Sequence, residues 1–172
     1  MLTRQISLSA PIFLFIYLFQ EAAMNQFKLP GGGFSLFVIF ALVWAILSTP
    51  EIAALTGFAA GIMMDMAQNS DGPVGQWTLI MILVCYGVSY LGYGDGNISG
   101  NPIGVIFFVV SANLASELLF IASGALLGVT VGSFGQVLIT LLGNSLWTLV
   151  VAPIVLPVFS FLHNFVFETR SA

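Results

Sequence analysis

The amino-acid sequence predicts an all-α integral membrane protein, with about six transmembrane helices in one compact bundle. Two observations carry this reading. Of 172 residues, 59% are hydrophobic and 6% charged, and the mean hydropathy is +1.07; a soluble domain keeps about a quarter of its residues charged in order to stay wet. The apolar residues also fall into runs at 6–24, 34–47, 52–67, 74–93, 103–127 and 134–161, against the roughly 20 residues that a helix needs to cross the hydrocarbon core.

Each run has its own justification. Run 6–24 follows Arg4 and leads into Ala22-Ala23 as a signal peptide would, but cleavage would release a remainder that is itself apolar throughout. It reads as an uncleaved first span. Lys28-Leu29-Pro30-Gly31-Gly32-Gly33 is a breaker-rich loop. Runs 34–47 and 52–67 are short, and cross where the bilayer thins or polar ends snorkel. Five spans, with this pair as a re-entrant hairpin, is the alternative. Thr49 suits the cap of the third helix, with Pro50 in its first turn and Glu51 favouring the positive helix end. Asn69-Ser70-Asp71-Gly72-Pro73 is a polar turn, and 92–102 is the longest loop. In the last run Pro153 and Pro157 kink the helix or end its regular hydrogen bonding. The whole chain, 1–172, reads as a single transmembrane domain of the cell membrane.

Orientation follows from the three basic residues. Arg4 and Arg170 flank the set of runs, and the positive-inside tendency places both in the cytoplasm. An even number of spans satisfies both, which favours six over five and leaves Lys28 outside.

Several chemistries are excluded. A net charge of −4 with no basic cluster leaves nothing to neutralise phosphates, so nucleic acid is not a partner. Cys85 is the single cysteine and lies in an apolar run, as a buried, inert thiol would. His163 has no second histidine or cysteine at ligand spacing, so no metal site is expected. Gly33-Phe34-Ser35-Leu36 and Gly143-Asn144-Ser145-Leu146 look like the serine motif of intramembrane proteases. Yet His163 lies roughly 27 Å along the same helix from Ser145, too far to serve as its base. Asp95-Gly96-Asn97-Ile98-Ser99-Gly100 begins like a calcium loop, but its twelfth position is Ile106 rather than glutamate. The chain reads as non-enzymatic and without a cofactor.

Polar residues inside apolar runs are the informative ones, because lipid makes them costly. Gly57 and Gly61 form a GxxxG face that admits a close neighbour, with Asp65 one turn further and Met63 on the lipid-facing side. Asp65 suits fixing the turn or the next helix, contacting a partner, or handling an ion or proton. Glu117 lies deep in the fifth run, with Asn113 and Ser116 on its face. Gln136, Thr140, Asn144 and Thr148 recur every fourth residue in the last. Two such stripes on consecutive spans face each other most economically, pairing the helices or lining a polar ligand cavity. Counting back from the loop places Glu117 roughly 16 Å deep, with Asn144 or Ser145 level with it. A neutral carboxyl group there can donate to the amide carbonyl and accept from its NH₂.

The stretch Gly57-Phe58-Ala59-Ala60-Gly61 leading to Asp65, followed by a polar turn and Gly75-Gln76-Trp77, resembles the signature of the bacterial rod shape-determining protein MreD family. Gln20 at the end of the first span, the Leu29–Gly33 stretch and Ala152-Pro153-Ile154-Val155-Leu156-Pro157 are similar to that family in the same order along the chain. Phe34-Ser35 stands where the family often carries Pro-Asp, and the 93–102 loop lacks its arginines. The resemblance implies a component of the machinery that elongates the cell by lateral peptidoglycan synthesis. Its partners would be an MreC-like bitopic scaffold and, through it, an MreB-like actin, a glycan polymerase and a transpeptidase. Gly57, Gly61, Asp65, Asn113, Glu117, Thr140 and Asn144 are then helix-packing or partner-contact candidates. The family also looks distantly like the substrate-binding subunits of energy-coupling-factor transporters. A vitamin- or metal-uptake subunit is therefore the alternative, and it requires a pocket with several convergent polar or aromatic groups.

Overall fold

The computed structural model describes residues 2–22, 30–67, 72–94, 101–129 and 132–167. These form six α-helices and no strand: α1 (Leu2–Ala22), α2 (Leu36–Ile46), α3 (Pro50–Asp65), α4 (Gln76–Gly94), α5 (Pro102–Leu126) and α6 (Phe134–Phe167). One 3₁₀ turn, Pro30–Gly32, precedes α2. Lys28, the Asn69-Ser70-Asp71 part of the polar turn, the Asp95–Gly100 loop and Arg170 lie outside the described residues.

The shortest helix is the hub. α2 has 11 residues, about 16 Å at the helical rise, and packs against all five other helices. Every residue from Phe37 to Ile46 is buried. The cause is in its sequence, Leu-Phe-Val-Ile-Phe-Ala-Leu-Val-Trp-Ala-Ile, which has no polar face to offer anything outside. Aromatic rings lock α1 and α6 onto it. The Phe13 ring sits 4.8 Å from Phe40 and 5.5 Å from Trp44, while Phe40 meets Phe159 at 5.1 Å, all in tilted or edge-on geometry that the ring quadrupole favours.

Among the described residues, α5 and α6, at 25 and 34 residues, are the two helices long and apolar enough to cross a membrane. α6 does not end at its prolines. It continues to Phe167 with Pro153 and Pro157 exposed, while Ala152 and Leu156, the residue before each proline, face the core. The helix thus runs past the expected end of the run at 161, and both proline rings are exposed, where they meet no packed neighbour. Thr49 does occupy the N-cap of α3, with Pro50 next and Glu51 in the first turn, but its side chain makes no cap bond.

Consecutive helices run antiparallel. The ends of α1, α3 and α5 therefore share one end of the bundle with the starts of α2, α4 and α6. Near the opposite end, Ser9 of α1 and Phe167 of α6 line one apolar groove, so the first half of α1 and the end of α6 lie on the same side.

Candidate functional site

At the end of the bundle where α3 stops, three side chains join successive helices. Gln20 of α1 accepts, through Oε1, the Leu36 N–H at 2.8 Å, and Ser35 Oγ accepts from Val38 N–H at 3.3 Å. These satisfy two of the donors that the first turn of α2 leaves free. Asp65 of α3 does the same for α4. Its Oδ1 accepts from Trp77 N–H at 3.1 Å, and Oδ2 accepts from Thr78 N–H at 3.0 Å and from Thr78 Oγ1 at 2.5 Å. A carboxylate here also meets the positive end of the α4 dipole. Gln76, buried at the start of α4, donates to the Phe120 carbonyl at 2.8 Å and to Ser123 Oγ at 2.7 Å, which ties in the end of α5.

Below Asp65, Gly57 and Gly61 lie directly against α4. A Cβ at Gly61 would overlap the Thr78 backbone, and one at Gly57 would overlap the Met81 carbonyl and reach Ile82 Cα. Met63 does not face outward. It is half-buried against the core and lines a groove with Phe13 and Trp44, because the helix turns that flank toward α1. The exposed residues of α3 are Glu51, Leu55, Phe58, Ala59 and Ile62, with Met66 exposed at its C-cap. The 3₁₀ turn is a further joint that its composition did not reveal. Gly31, Gly32 and Gly33 have φ of 78°, 93° and 77°, and Gly31 lies so close to Gly143 of α6 that a Cβ on Gly143 would overlap it.

Glu117, Asn113, Thr140 and Asn144 come together on one chamber of about 280 Å³, which Val38, Trp77 and Phe120 also line. The Trp77 and Phe120 rings stack at 4.4 Å. Asn113 Nδ2 donates to Glu117 Oε1 at 3.2 Å and reaches Asn144 Oδ1 at 3.5 Å, and Thr148 Oγ1 approaches the same oxygen at 3.4 Å. The expected direct bond between Glu117 and Asn144 is thus replaced by a bridge. Asn113, one turn earlier on α5, stands between them and its amide reaches both. Glu117 Oε2 has no partner among the described residues. A second chamber of about 380 Å³ adjoins the first through Ser35, Met64, Trp77 and Asn144, and extends to Tyr17, Gln20 and Glu21. Gln136, the outermost residue of the α6 stripe, is exposed and accepts from Ser133 N–H instead.

His163 is buried rather than peripheral. Its Nε2 lies 3.0 Å from Ser48 Oγ, while Ser48 Oγ donates to the Trp44 carbonyl at 2.7 Å and Ser89 Oγ donates to the Ser48 carbonyl at 2.7 Å. With the hydroxyl proton committed to Trp44, the imidazole N–H is the donor to Ser48. This set ties α2, α4 and α6 together at the opposite end. Its members are 115 residues apart in the case of Ser48 and His163, so no local spacing announced it. Among the described residues, no three His, Cys, Asp or Glu side chains gather as a metal site would require.

Among the described residues, the fold and these joints define an all-helical bundle with two membrane-length helices and, at one end, two adjoining chambers that set a few polar side chains among apolar walls. Comparison with protein-family models, curated proteins and solved structures finds no match to this chain.

Proposed function

We propose that this chain is a non-enzymatic, six-span component of the bacterial cell-elongation machinery, of the MreD kind, with both termini in the cytoplasm. In this reading it helps assemble an MreC-like bitopic scaffold that couples lateral peptidoglycan synthesis to the MreB-like actin. The observation that carries it is the 57–77 stretch, in the order set by Gln20, the 29–33 loop and the 152–157 segment. The geometry supports it in one respect. Gln20, Asp65 and Gln76, three of the polar residues in that resemblance, each join successive helices, and Gly57, Gly61 and Gly31 are contact points between elements. The outward Leu118, Leu119, Leu142, Leu146 and Leu149 of α5 and α6 form the kind of apolar surface that lipid or a partner helix covers. In a rod-shaped host, depletion should round the cells and disperse wall synthesis, and a tagged copy should retain the scaffold. Depleted cells that stay rod-shaped, with no scaffold recovered, would overturn the reading.

The two-chambered cavity favours a second reading, a substrate-binding membrane subunit of an energy-coupling-factor vitamin or metal transporter. Co-purification with paired ATPases, and loss of uptake on deletion, would replace the first reading with this one.

A further inference from the structure

We propose that the paired chambers at the Asp65 end of the bundle bind a small molecule that carries a primary ammonium group on an apolar or aromatic body. The volumes, about 280 and 380 Å³, fall at the size of small-molecule sites, and such sites combine an apolar lining with a few placed polar groups. Here the polar groups gather on one wall. Glu117 lines this wall beside Asn113, Thr140 and Asn144, and its Oε2 is buried with no partner among the described residues. The remaining walls of the inner chamber include Val38, Ile121 and Leu141, together with the Trp77–Phe120 stack.

The sign of the charge follows from what lines the chambers. No described lining residue is basic, whereas Glu117 stands in one chamber and Glu21 in the other. An anion would find neutral donors such as Asn113 and Asn144 but no described lining cation to offset its charge. An ammonium group brings three donors, and its bond to a carboxylate is charge-assisted. The Trp77 ring adds a face that attracts cations, while the apolar walls accept the ligand body. A soluble amine and the ammonium of a phosphatidylethanolamine headgroup share this chemistry. The inference names a ligand class for the cavity of the second reading but does not depend on transport. Binding is measured on the protein alone, so it can fail or succeed independently of the elongation phenotype and of uptake.

The test uses the full chain in nanodiscs of phosphatidylglycerol, with benzylammonium as probe and benzyl alcohol and benzoate as comparators, read by saturation-transfer NMR. Benzylammonium should saturate at about millimolar concentration, and Glu117→Gln should weaken it by about tenfold or more. Ile121→Trp, which fills the inner chamber with an apolar ring, should abolish binding in a protein that still unfolds cooperatively. Adding phosphatidylethanolamine assigns the site to a lipid headgroup if it displaces the probe, and to a soluble amine if it does not. Absence of saturable binding, equal binding of benzoate or benzyl alcohol, or unchanged affinity in a folded Glu117→Gln protein would each overturn the proposal.

Discussion

Asp65 illustrates how one side chain can decide a joint. Its two oxygens receive three hydrogen bonds from Trp77 and Thr78, so removing them frees donors at the first turn of α4. Asp65→Ala should cost about 1–2 kcal/mol, in the range of a lost helix cap, and Asp65→Asn less, since one acceptor oxygen remains. Reversible unfolding in mixed micelles measures both, and equal stability of the alanine variant and the parent would refute the capping role. The glycines give a sharper contrast. In a helix interior alanine is favoured over glycine by about 1 kcal/mol, yet Gly61→Ala should destabilise, because its methyl group would enter the Thr78 backbone and overpacking costs about 1–3 kcal/mol. Gly87 of α4 has open space where its Cβ would stand, so Gly87→Ala should be neutral or stabilising. The same sign of change at both positions would contradict the packing of α3 on α4.

Elements differ in what holds them. α2 is held by enclosure on all sides, whereas α3 and α4 are held by backbone approach and by the cap. The meeting of α5 and α6 rests on polar groups at modest distances, with Asn113 reaching Asn144 at 3.5 Å. Interhelical hydrogen bonds in membranes average about 0.6 kcal/mol. Asn113→Leu should therefore lose only about that much stability, while it removes the bridge between Glu117 and Asn144. Cysteines placed at 113 and 144, with Cys85 replaced, should crosslink in native membranes. Failure there, with an efficient crosslink from 113 to α3, would reassign this face of α5. The 3₁₀ turn is held on α6 by glycine against glycine. Gly143→Leu should displace it, exposing the 30–33 segment to protease while leaving the α3–α4 pair protected. An unchanged cleavage pattern would argue that the turn does not depend on that contact.

At the scale of the whole molecule, alternating helix directions bring Ser9 and Phe167 to one end and Gln20, Asp65 and Gln76 to the other. In the proposed six-span orientation, reporter fusions at residue 172 and within 68–73 should therefore report opposite compartments, with the C-terminal one cytoplasmic. A C-terminal reporter outside would sink the orientation, and one compartment for both would sink the alternation. The apolar groove between α1 and α3, lined by Ile52, Leu55, Ala59 and Trp44, lies on the flank of the bundle, away from the polar chambers. The molecule thus separates an apolar lateral groove from the end where Gln20, Asp65, Gln76 and Glu117 gather.

The sequence by itself determined the helical class, the approximate bounds of each helix and the polar residues worth examining. These depend on neighbours within a few turns: an apolar run, a glycine-rich break, or glycines spaced by four with a carboxylate one turn on. Gly57, Gly61 and Asp65 were legible as one face for that reason. Tertiary structure alone decided what the face meets. Periodicity defines a helix stripe, but which backbone fills it depends on how all six helices share the space around α2. The same limit hid the Ser48–His163 contact, the seating of Gly31 on Gly143 and the inward turn of Met63. It also explains the Asn113 bridge: counting residues by depth matched Glu117 with Asn144, but depth fixes height along the bundle and leaves rotation about each axis open. That rotation is settled by packing, where a small turn of α5 moves one amide between two partners.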